Sequence, residues 1–590
     1  MKDKPTTAQK LNLPTKSDGN EYIIREANEK QQHLMFLVIE TLKEWVTWTT
    51  NPSKIKHTTF KPLRLTVRGM AGSGKSYLLH LLSTVIRKKF GINGVDIKVA
   101  PTGTAAFNIN GQTCHSAFAI GISNKKTQLS QAKQHELIQK YRHLVALLID
   151  ERSLLSSATL GGMEANASKV VHGGSHSNED WGGIPVVIIM GDDRQIPPVR
   201  TGLTGRGAFQ ILQCPSNQFI SDIEQNGEAK FRDLAKTVVT LSKNQRVSSQ
   251  NSEFRKILER LRIDEQTEKD ARIITNLNLT NHENKRLQLQ NSPDTLHLFA
   301  YNKAKQDFNL QRLSSISSEN NPVAIMKSKV TGSSFSVKKK QFYPRFNHFK
   351  DNSCPRVCTI CIGCKVALKG RNFNPQWGLF NSTIGTVQEI VYEAGKNPNA
   401  GDLPLYVAVS FPTYCGPKWD TKNPTIVPIP VVSCPCDKGC CEMHYVPLEV
   451  AFAKTIHTFQ GMEAGPTKPI KTLIVHLGDI KFENNNPGLM YTAISRATTI
   501  DEENNGENSA IYFLDLSSNH YMQSAIKKRD NKMTQSMKAR DKWIEHLDKH
   551  ESQRKFTTTE KKNLLQWAEK PISIKILNTC IDSTFWRQKM

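Results

Sequence analysis

The chain of 590 residues reads as an α/β protein that carries a phosphate-binding loop on a parallel sheet. Three observations predict this. An alternating strand over residues 63–67 runs into GMAGSGKS and then into the amphipathic pattern YLLHLLSTVIRKKF, the strand–loop–helix order of a phosphate cradle. An apolar run over 144–149 ends in Asp150-Glu151, as a strand buried on both faces would. A second apolar run, IPVVIIM at 184–190, ends in GDDRQIPPV. In open parallel sheets, ligands bind beyond the carboxyl ends of the strands, so three polar strand ends point to one nucleotide site.

The loop fills every fixed position of G-x-x-x-x-G-K-[ST], with Gly69, Gly74, Lys75 and Ser76, and Gly72 and Ser73 complete the cradle. Glycines let the backbone turn tightly and aim its N–H groups at phosphate oxygens. The helix N-terminus adds positive potential. Lys75 is expected to reach the β- and γ-phosphates of ATP, and Ser76 to hold Mg²⁺. Asp150 is expected to hold the same Mg²⁺ through water. Glu151 is placed to orient and deprotonate the attacking water. A lone Asp-Glu after a strand is most often a solvated turn; after a phosphate loop it reads as catalytic.

Lys and Arg number 79 against 54 Asp and Glu, a net charge of +25. That excess favours a polyanionic partner, nucleic acid first. No run of about 18 apolar residues occurs, so no membrane partner is expected. The first twenty residues are polar, lack an apolar signal core and are expected to be disordered. Of 12 cysteines, eight fall in the stretches CPRVCTICIGC (354–364) and CPCDKGCC (434–441). This clustering suits an intracellular chain and metal binding better than a disulfide framework.

Further segments follow in a fixed order: ANEKQQHLMFLVI (27–39), VAPTGTAAFNINGQTCHSAF (99–118), GDDRQIPPV, VVTLSKNQRV (238–247), AFAKTIHTFQGM (451–462) and YTAISRAT (491–498). With the loop and Asp150-Glu151, this series resembles the Pif-type superfamily 1 DNA helicases over about residues 25–515. The resemblance implies two RecA-like P-loop domains, parallel sheets flanked by helices, with a small β-barrel inserted in the second. It assigns adenine contact to Gln31, with Gln32 as the alternative. Thr102, Gly103 and Thr104 would lie along the DNA backbone, and His115 at the nucleic-acid face. Gln195 would sense the γ-phosphate. Arg246 and Arg496 would reach that phosphate from the opposite side, neutralising charge on the transferred group. His457 and Gln460-Gly461 would touch both DNA and nucleotide.

The sequence also departs from the family pattern. Asp193 stands where an aromatic residue is common, Arg152 where an apolar one is, and Ser382 where glycine is. The segment GMEAGPTKPIKT (461–472) replaces a short link. Asp192 is expected to support the Mg²⁺ and water network. Asp193 and Arg194 are expected to face solvent or DNA, and Pro197-Pro198 to stiffen the exit from the strand.

The resulting organisation is a disordered 1–20, a first RecA-like domain at 21–235 and a second at 236–350 and 446–516. A cysteine-containing β-barrel is expected at 351–445 and a basic helical tail at 517–590. Residues 160–183, rich in Gly and Ser, read as loop. The insertion would bring the two cysteine clusters together, and a Cys₄ zinc site of Cys358, Cys361, Cys434 and Cys436 would stabilise it. Reduced thiols are the competing reading. The function implied is an ATP- and Mg²⁺-dependent DNA helicase moving 5′→3′ on single strands. It would unwind forked DNA as a monomer in replication, repair, recombination or telomere maintenance. A nuclear setting is expected, with a mitochondrial or mobile-element origin left open. An RNA helicase or remodelling ATPase is the alternative; a binding module without catalysis is disfavoured by Lys75, Asp150, Glu151, Arg246 and Arg496.

Overall fold

A computed structural model describes residues 11, 13–14, 16, 20–51, 59–121, 129–196, 221–247, 251–332, 354–370, 372–396, 401–436, 441–480, 488–501, 508–524 and 532–582. Most of the first twenty residues, and Pro197-Pro198, therefore lie outside the described residues. The chain divides into two compact units, one formed by 1–266 with 525–590 and the other by 267–524.

The first unit is built on six parallel strands: β1 (Leu63–Gly69), β2 (Asp96–Ala100), β3 (Gln112–Thr113), β4 (Ala146–Ile149), β5 (Val186–Gly191) and β6 (Thr237–Leu241). Their spatial order is β3-β2-β4-β5-β1-β6. β4 and β5 are buried along their whole length, which is why they read as unbroken apolar runs. One face packs under the helices Glu29–Thr50 and Lys75–Phe90, the other under Gln131–Tyr141 and Ser157–Val170. β4, β5 and β1 are neighbours, so the polar residues that end them emerge side by side.

Two expectations change here. Residues 160–183 are not an irregular loop: Ser157–Val170 is a helix, capped by Ser156, followed by the 3-10 turns Val171–Gly174 and Asp180–Gly183. The glycines serve a close approach to the helix Asp222–Leu234. A Cβ on Gly161 would stand 1.9 Å from the Ile223 carbonyl oxygen, and one on Gly227 1.9 Å from that of Ser157. A composition that mimics a loop here permits helix–helix contact. Likewise β6 does not open the second domain. It pairs in parallel with β1, Val67 opposite Val239 and Gly69 opposite Leu241, and the first unit runs on to Gln266.

The tail returns to this unit as the helices Lys532–Gln553, Thr558–Glu569 and Ile574–Asp582. Leu564, Ala568, Leu577, Cys580 and Ile581 join the core that holds Leu37, Trp45 and Phe90.

The second unit carries a parallel sheet ordered β18 (Ala453–Thr455), β7 (Thr295–Phe299), β19 (Thr472–His476), β20 (Ile511–Leu514). Between β7 and β18 the chain forms antiparallel sheets: β8 (Ala324–Lys327), β9 (Lys329–Gly332), β10 (Val357–Ile360), β11 (Lys365–Leu368), β12 (Ile384–Val391), β13 (Tyr406–Ser410), β14 (Ile426–Pro430), β15 (Val432–Pro435), β16 (Cys441–Tyr445) and β17 (Leu448–Val450). They group as β14-β13-β12-β11-β17, β15-β16-β9 and β10-β8. The inserted β region thus begins before 351 and ends after 445. Residues of β8, β10, β11, β12, β13, β14 and β17 share one core.

The four candidate zinc ligands do not converge. Cys358 and Cys361 pack in an apolar core with Val366, Leu368 and Val409. Cys434 and Cys436 belong to a separate cluster with Val432, Met443 and Tyr445. Among the described residues, no group of three or more His, Cys, Asp or Glu side chains is placed to hold a metal ion. Cys358 and Cys361 fill apolar space, as buried cysteines commonly do.

Ser382 keeps the backbone of the glycine it replaces, with φ at +79°. Its N–H donates to the Leu368 carbonyl at 2.7 Å, and the Ser382 carbonyl accepts from Lys454 Nζ. A side chain in this region costs of order 1–3 kcal/mol, partly offset in glycine by the entropy of its unfolded chain. Ser382→Gly should therefore stabilise the protein by about 1 kcal/mol, seen as a higher urea midpoint at unchanged slope.

Candidate nucleotide-binding site

The loop after β1 is shaped by what crowds against it. Gly72 and Gly74 have φ of +80° and +83°, where other residues are strained. A Cβ on Gly72 would stand 2.5 Å from the Arg246 Cβ and 2.6 Å from Asn244 Oδ1; one on Gly74 would stand 2.6 Å from Gln31 Nε2. The Gln245 N–H donates to the Gly72 carbonyl at 2.7 Å. Asn244 Oδ1 accepts from the N–H of Arg246 at 2.9 Å. The segment after β6 is therefore packed onto the loop, and Arg246 stands on the loop's own unit. The expectation that it approaches from the opposite side is corrected: β6 extends the sheet beside β1, so its exit falls beside the loop.

Gln31 Nε2 donates to the Gly74 carbonyl at 3.2 Å, and its Oε1 accepts from the Asn28 N–H in a capping box. Gln32 is turned away, donating to the Ala27 carbonyl. Of the two glutamines, Gln31 is the one at the loop. Lys75 Nζ donates to the carbonyls of Gly69 and Met70, both at 2.9 Å. Burial pulls the Lys75 ammonium below its ordinary range, while Asp192, Glu151 and Asp150 oppose that fall.

Asp150 leaves β4 with a nearly buried side chain, and Glu151 follows at φ +52°, a left-handed backbone unusual for a glutamate. Burial pushes the Asp150 carboxyl up, the Glu151 charge adds to the rise, and Lys75 pulls it back. Ser73 Oγ and Asn244 Nδ2 are buried without a hydrogen-bond partner among the described residues. Such atoms beside a glycine loop fit a polyphosphate, whose oxygens would satisfy them. Ser76 is exposed at the start of the helix. With Asp150 it fits Mg²⁺, which keeps most of its waters and takes one or two protein ligands beside substrate phosphates.

The third strand end differs from expectation. Asp192, Asp193, Arg194 and Gln195 are all buried, none above 4% exposed. Asp192 Oδ2 accepts from the Ala71 N–H at 3.2 Å. Its Oδ1 accepts from the Arg194 N–H at 3.2 Å and from Arg262 Nε at 3.1 Å. Asp192 is thus a strut from β5 to the loop, braced by Arg262. No sequence signal marked Arg262, one of several basic residues on the amphipathic helix Ser252–Ile263. Asp193 faces neither solvent nor DNA. It pairs with Arg68 at 3.0 Å and with Arg152. Two departures from the family pattern therefore meet each other, because a buried carboxylate must be paired. The three residues stand at the ends of β1, β4 and β5, and tie those ends together.

The residues predicted to meet nucleic acid lie on both units. Thr102 Oγ caps the helix Gly103–Asn108, accepting from the Ala105 N–H at 3.2 Å, and Thr104 is buried in that helix. His115 sits in the helix Cys114–Phe118, and burial holds its imidazole below the ordinary range. On the second unit, His457 and Gln460-Gly461 follow β18, and burial lowers the His457 imidazole in the same way. Arg496 is 3% exposed. Its Nε donates to the Thr492 carbonyl at 3.1 Å and its Nη2 to Ser495 Oγ at 3.0 Å. The Ala464 N–H donates to the Arg496 carbonyl at 2.9 Å, so the segment after Gln460-Gly461 is joined to Arg496 through the backbone.

Comparison with known proteins gives a consistent picture. Residues 55–270 match the family model described as PIF1-like helicase. The chain is 25% identical over 443 residues to the ATP-dependent DNA helicase Pif1 of Campylobacter jejuni, covering 73% of this chain and 86% of that protein. It is 35% identical over 135 residues to the ATP-dependent DNA helicase RRM3 of Saccharomyces cerevisiae, a local match covering 22% of this chain and 18% of that protein. Among solved structures it resembles Bacteroides Pif1 bound to ssDNA, with a TM-score of 0.54 at 20% identity, covering 84% and 93% of the two chains. It likewise resembles Pif1 helicase from Candida albicans, with a TM-score of 0.53 at 20% identity, covering 88% and 99%. These two likenesses are likenesses of fold.

The Arg68–Asp193–Arg152 cluster makes a quantitative prediction. Asp193→Ala leaves two buried guanidinium groups without their carboxylate and should cost about 3–5 kcal/mol. Adding Arg152→Leu to Asp193→Leu should recover part of that loss. A double-mutant cycle by urea unfolding should show a coupling of about 2 kcal/mol.

Proposed function

We propose that this chain is a PIF1-like helicase, an ATP-dependent DNA helicase that moves 5′→3′ along one strand. The observation that carries the reading is the convergence of Lys75, Asp150-Glu151 and Asp192 at one edge of one sheet. Asn244–Arg246 is folded onto the loop beside them. A shared geometry of this kind suits phosphoryl transfer, in which catalysis is positioning and charge stabilisation.

Each side chain then has a role. The loop N–H groups and Lys75 bind the phosphates, Lys75 exchanging its two backbone carbonyls for phosphate oxygens. Gln31 reads the base from beside Gly74. Ser76 and Asp150 would hold Mg²⁺, which would supply charge withdrawal from the phosphate oxygens. Glu151 orients the attacking water and takes its proton. Gln195 contacts the γ-phosphate, and Arg246 and Arg496 neutralise the charge that develops there. Asp192, held by Arg262 and the Ala71 N–H, fixes the position of the loop.

Thr102, Gly103, Thr104, His115 and His457 contact the DNA strand, supported by the excess of basic residues. Single-stranded and forked DNA are the substrates, and one chain is the working unit. A role in nuclear DNA maintenance is part of the proposal, supported by relatives in yeast named as ATP-dependent DNA helicases; a relative named in the same way also occurs in the bacterium Campylobacter jejuni. Zinc has no place in the proposal, because its four candidate ligands are divided between two clusters.

Steady-state ATPase assays with and without single-stranded DNA test the site. Lys75→Ala should abolish stimulated hydrolysis, and Arg496→Ala should lower kcat by about 10³-fold or more; parental rates in either would remove that residue from the site. Duplexes with a single tail test direction. Unwinding should require the 5′ tail, and activity confined to 3′-tailed or all-RNA duplexes would overturn the reading. Strand affinity should fall with salt at a log–log slope of about −0.7 for each phosphate neutralised.

A further inference from the structure

Nothing above gives a role to the C-terminal tail, yet its helix Lys532–Gln553 lies along β6, the edge strand of the six-stranded sheet. An edge strand presents backbone N–H and C=O groups that need partners. Asp548 supplies one: its Oδ1 accepts from the Thr240 N–H at 2.8 Å. The same oxygen stands 3.7 Å from Lys30 Nζ.

Both contacts lead to the nucleotide. Lys30 precedes Gln31, whose amide donates to the Gly74 carbonyl. Thr240 lies at the end of β6, four residues before Asn244, and Gln245 then donates to the Gly72 carbonyl. One carboxylate is therefore joined to both elements that border the phosphate loop. The tail does not depend on Asp548 for attachment. Glu551 pairs with His33 at 3.5 Å, Phe556 packs on Phe36 with ring centroids 5.6 Å apart, and Leu564 and Leu577 enter the core. Removing the Asp548 carboxylate should therefore leave the helix docked and release only the two elements it braces.

We propose that Asp548 is a positioning residue for ATP, setting the spacing between Lys30-Gln31 and the end of β6 so that the C-terminal tail tunes nucleotide affinity. The inference rests on the ATP reading above. A hydrogen bond to a charged acceptor is stronger and shorter than a neutral one, so a single carboxylate is enough to fix the edge. Asp548 has no contact with the loop itself and takes no part in the chemistry.

The test is steady-state ATPase of the full chain at saturating single-stranded DNA, with melting curves in parallel. Asp548→Ala should raise KM for ATP about tenfold, with kcat changed less than about twofold. Asp548→Asn keeps an oxygen for the Thr240 N–H but loses the charge facing Lys30. It should fall between parent and Asp548→Ala. If Asp548→Ala does not fold, Lys30→Met carries the test and should raise KM by about threefold. A folded Asp548→Ala with unchanged KM, or a lower melting temperature as its only effect, would overturn the proposal. So would an unchanged KM in Lys30→Met where that variant carries the test. An active parent with unchanged variants sinks this inference alone; a parent without ATPase activity sinks the ATP reading on which it rests.

Discussion

The chemistry of the first unit depends on how closely the chain after β6 approaches the phosphate loop. Gln245 reaches the Gly72 carbonyl through its backbone N–H, and there is no room for a side chain at Gly72 between Asn244 and Arg246. That contact fixes the loop's curvature from outside and sets Arg246 against the loop. It exists only because β6 pairs with β1. Sheet order, more than any one side chain, determines which residues can act on the nucleotide.

Two adjacent carboxylates complete the arrangement by pairing with different partners. Asp192 is held by the Ala71 N–H and Arg262, Asp193 by Arg68 and Arg152. Each is buried and each is paired with a guanidinium group. The two struts run from the end of β5 to both neighbouring strand ends. A shift of the loop cannot leave the other two strand ends unaffected, which is the rigidity that positioning catalysis requires.

Local chemistry was legible in the sequence, and partnerships across the chain were not. The loop, Asp150-Glu151 and the apolar strands announced themselves because each is a contiguous pattern with its own physical reason. β6 was assigned to the wrong sheet because TVVTL fits either one; strand propensity does not name a partner. Ser157–Val170 read as loop because Gly161 and Gly162 lower helix propensity, while the packing that rewards Gly161 comes from Gly227, 66 residues away in sequence. Arg152 and Asp193 each looked like an isolated oddity, and only the fold brings them together. Cys358 and Cys361 lie close in sequence to a candidate partner set, but both pack into an apolar core apart from Cys434 and Cys436.

The pairing of Thr240 with Asp548 spans 308 residues, and the second unit is made in between. At about 5–20 residues per second on the ribosome, β6 stays without its covering helix for roughly 15–60 s of elongation. The nucleotide-binding unit is thus begun before the second unit is made and closed only after it. For that interval a strand edge that invites pairing with other chains is exposed on a nascent polypeptide, and holdase chaperones are the natural cover for it. Non-local closure of this kind also makes folding slow relative to its size, because the unit is complete only once the helices of 532–582 have docked.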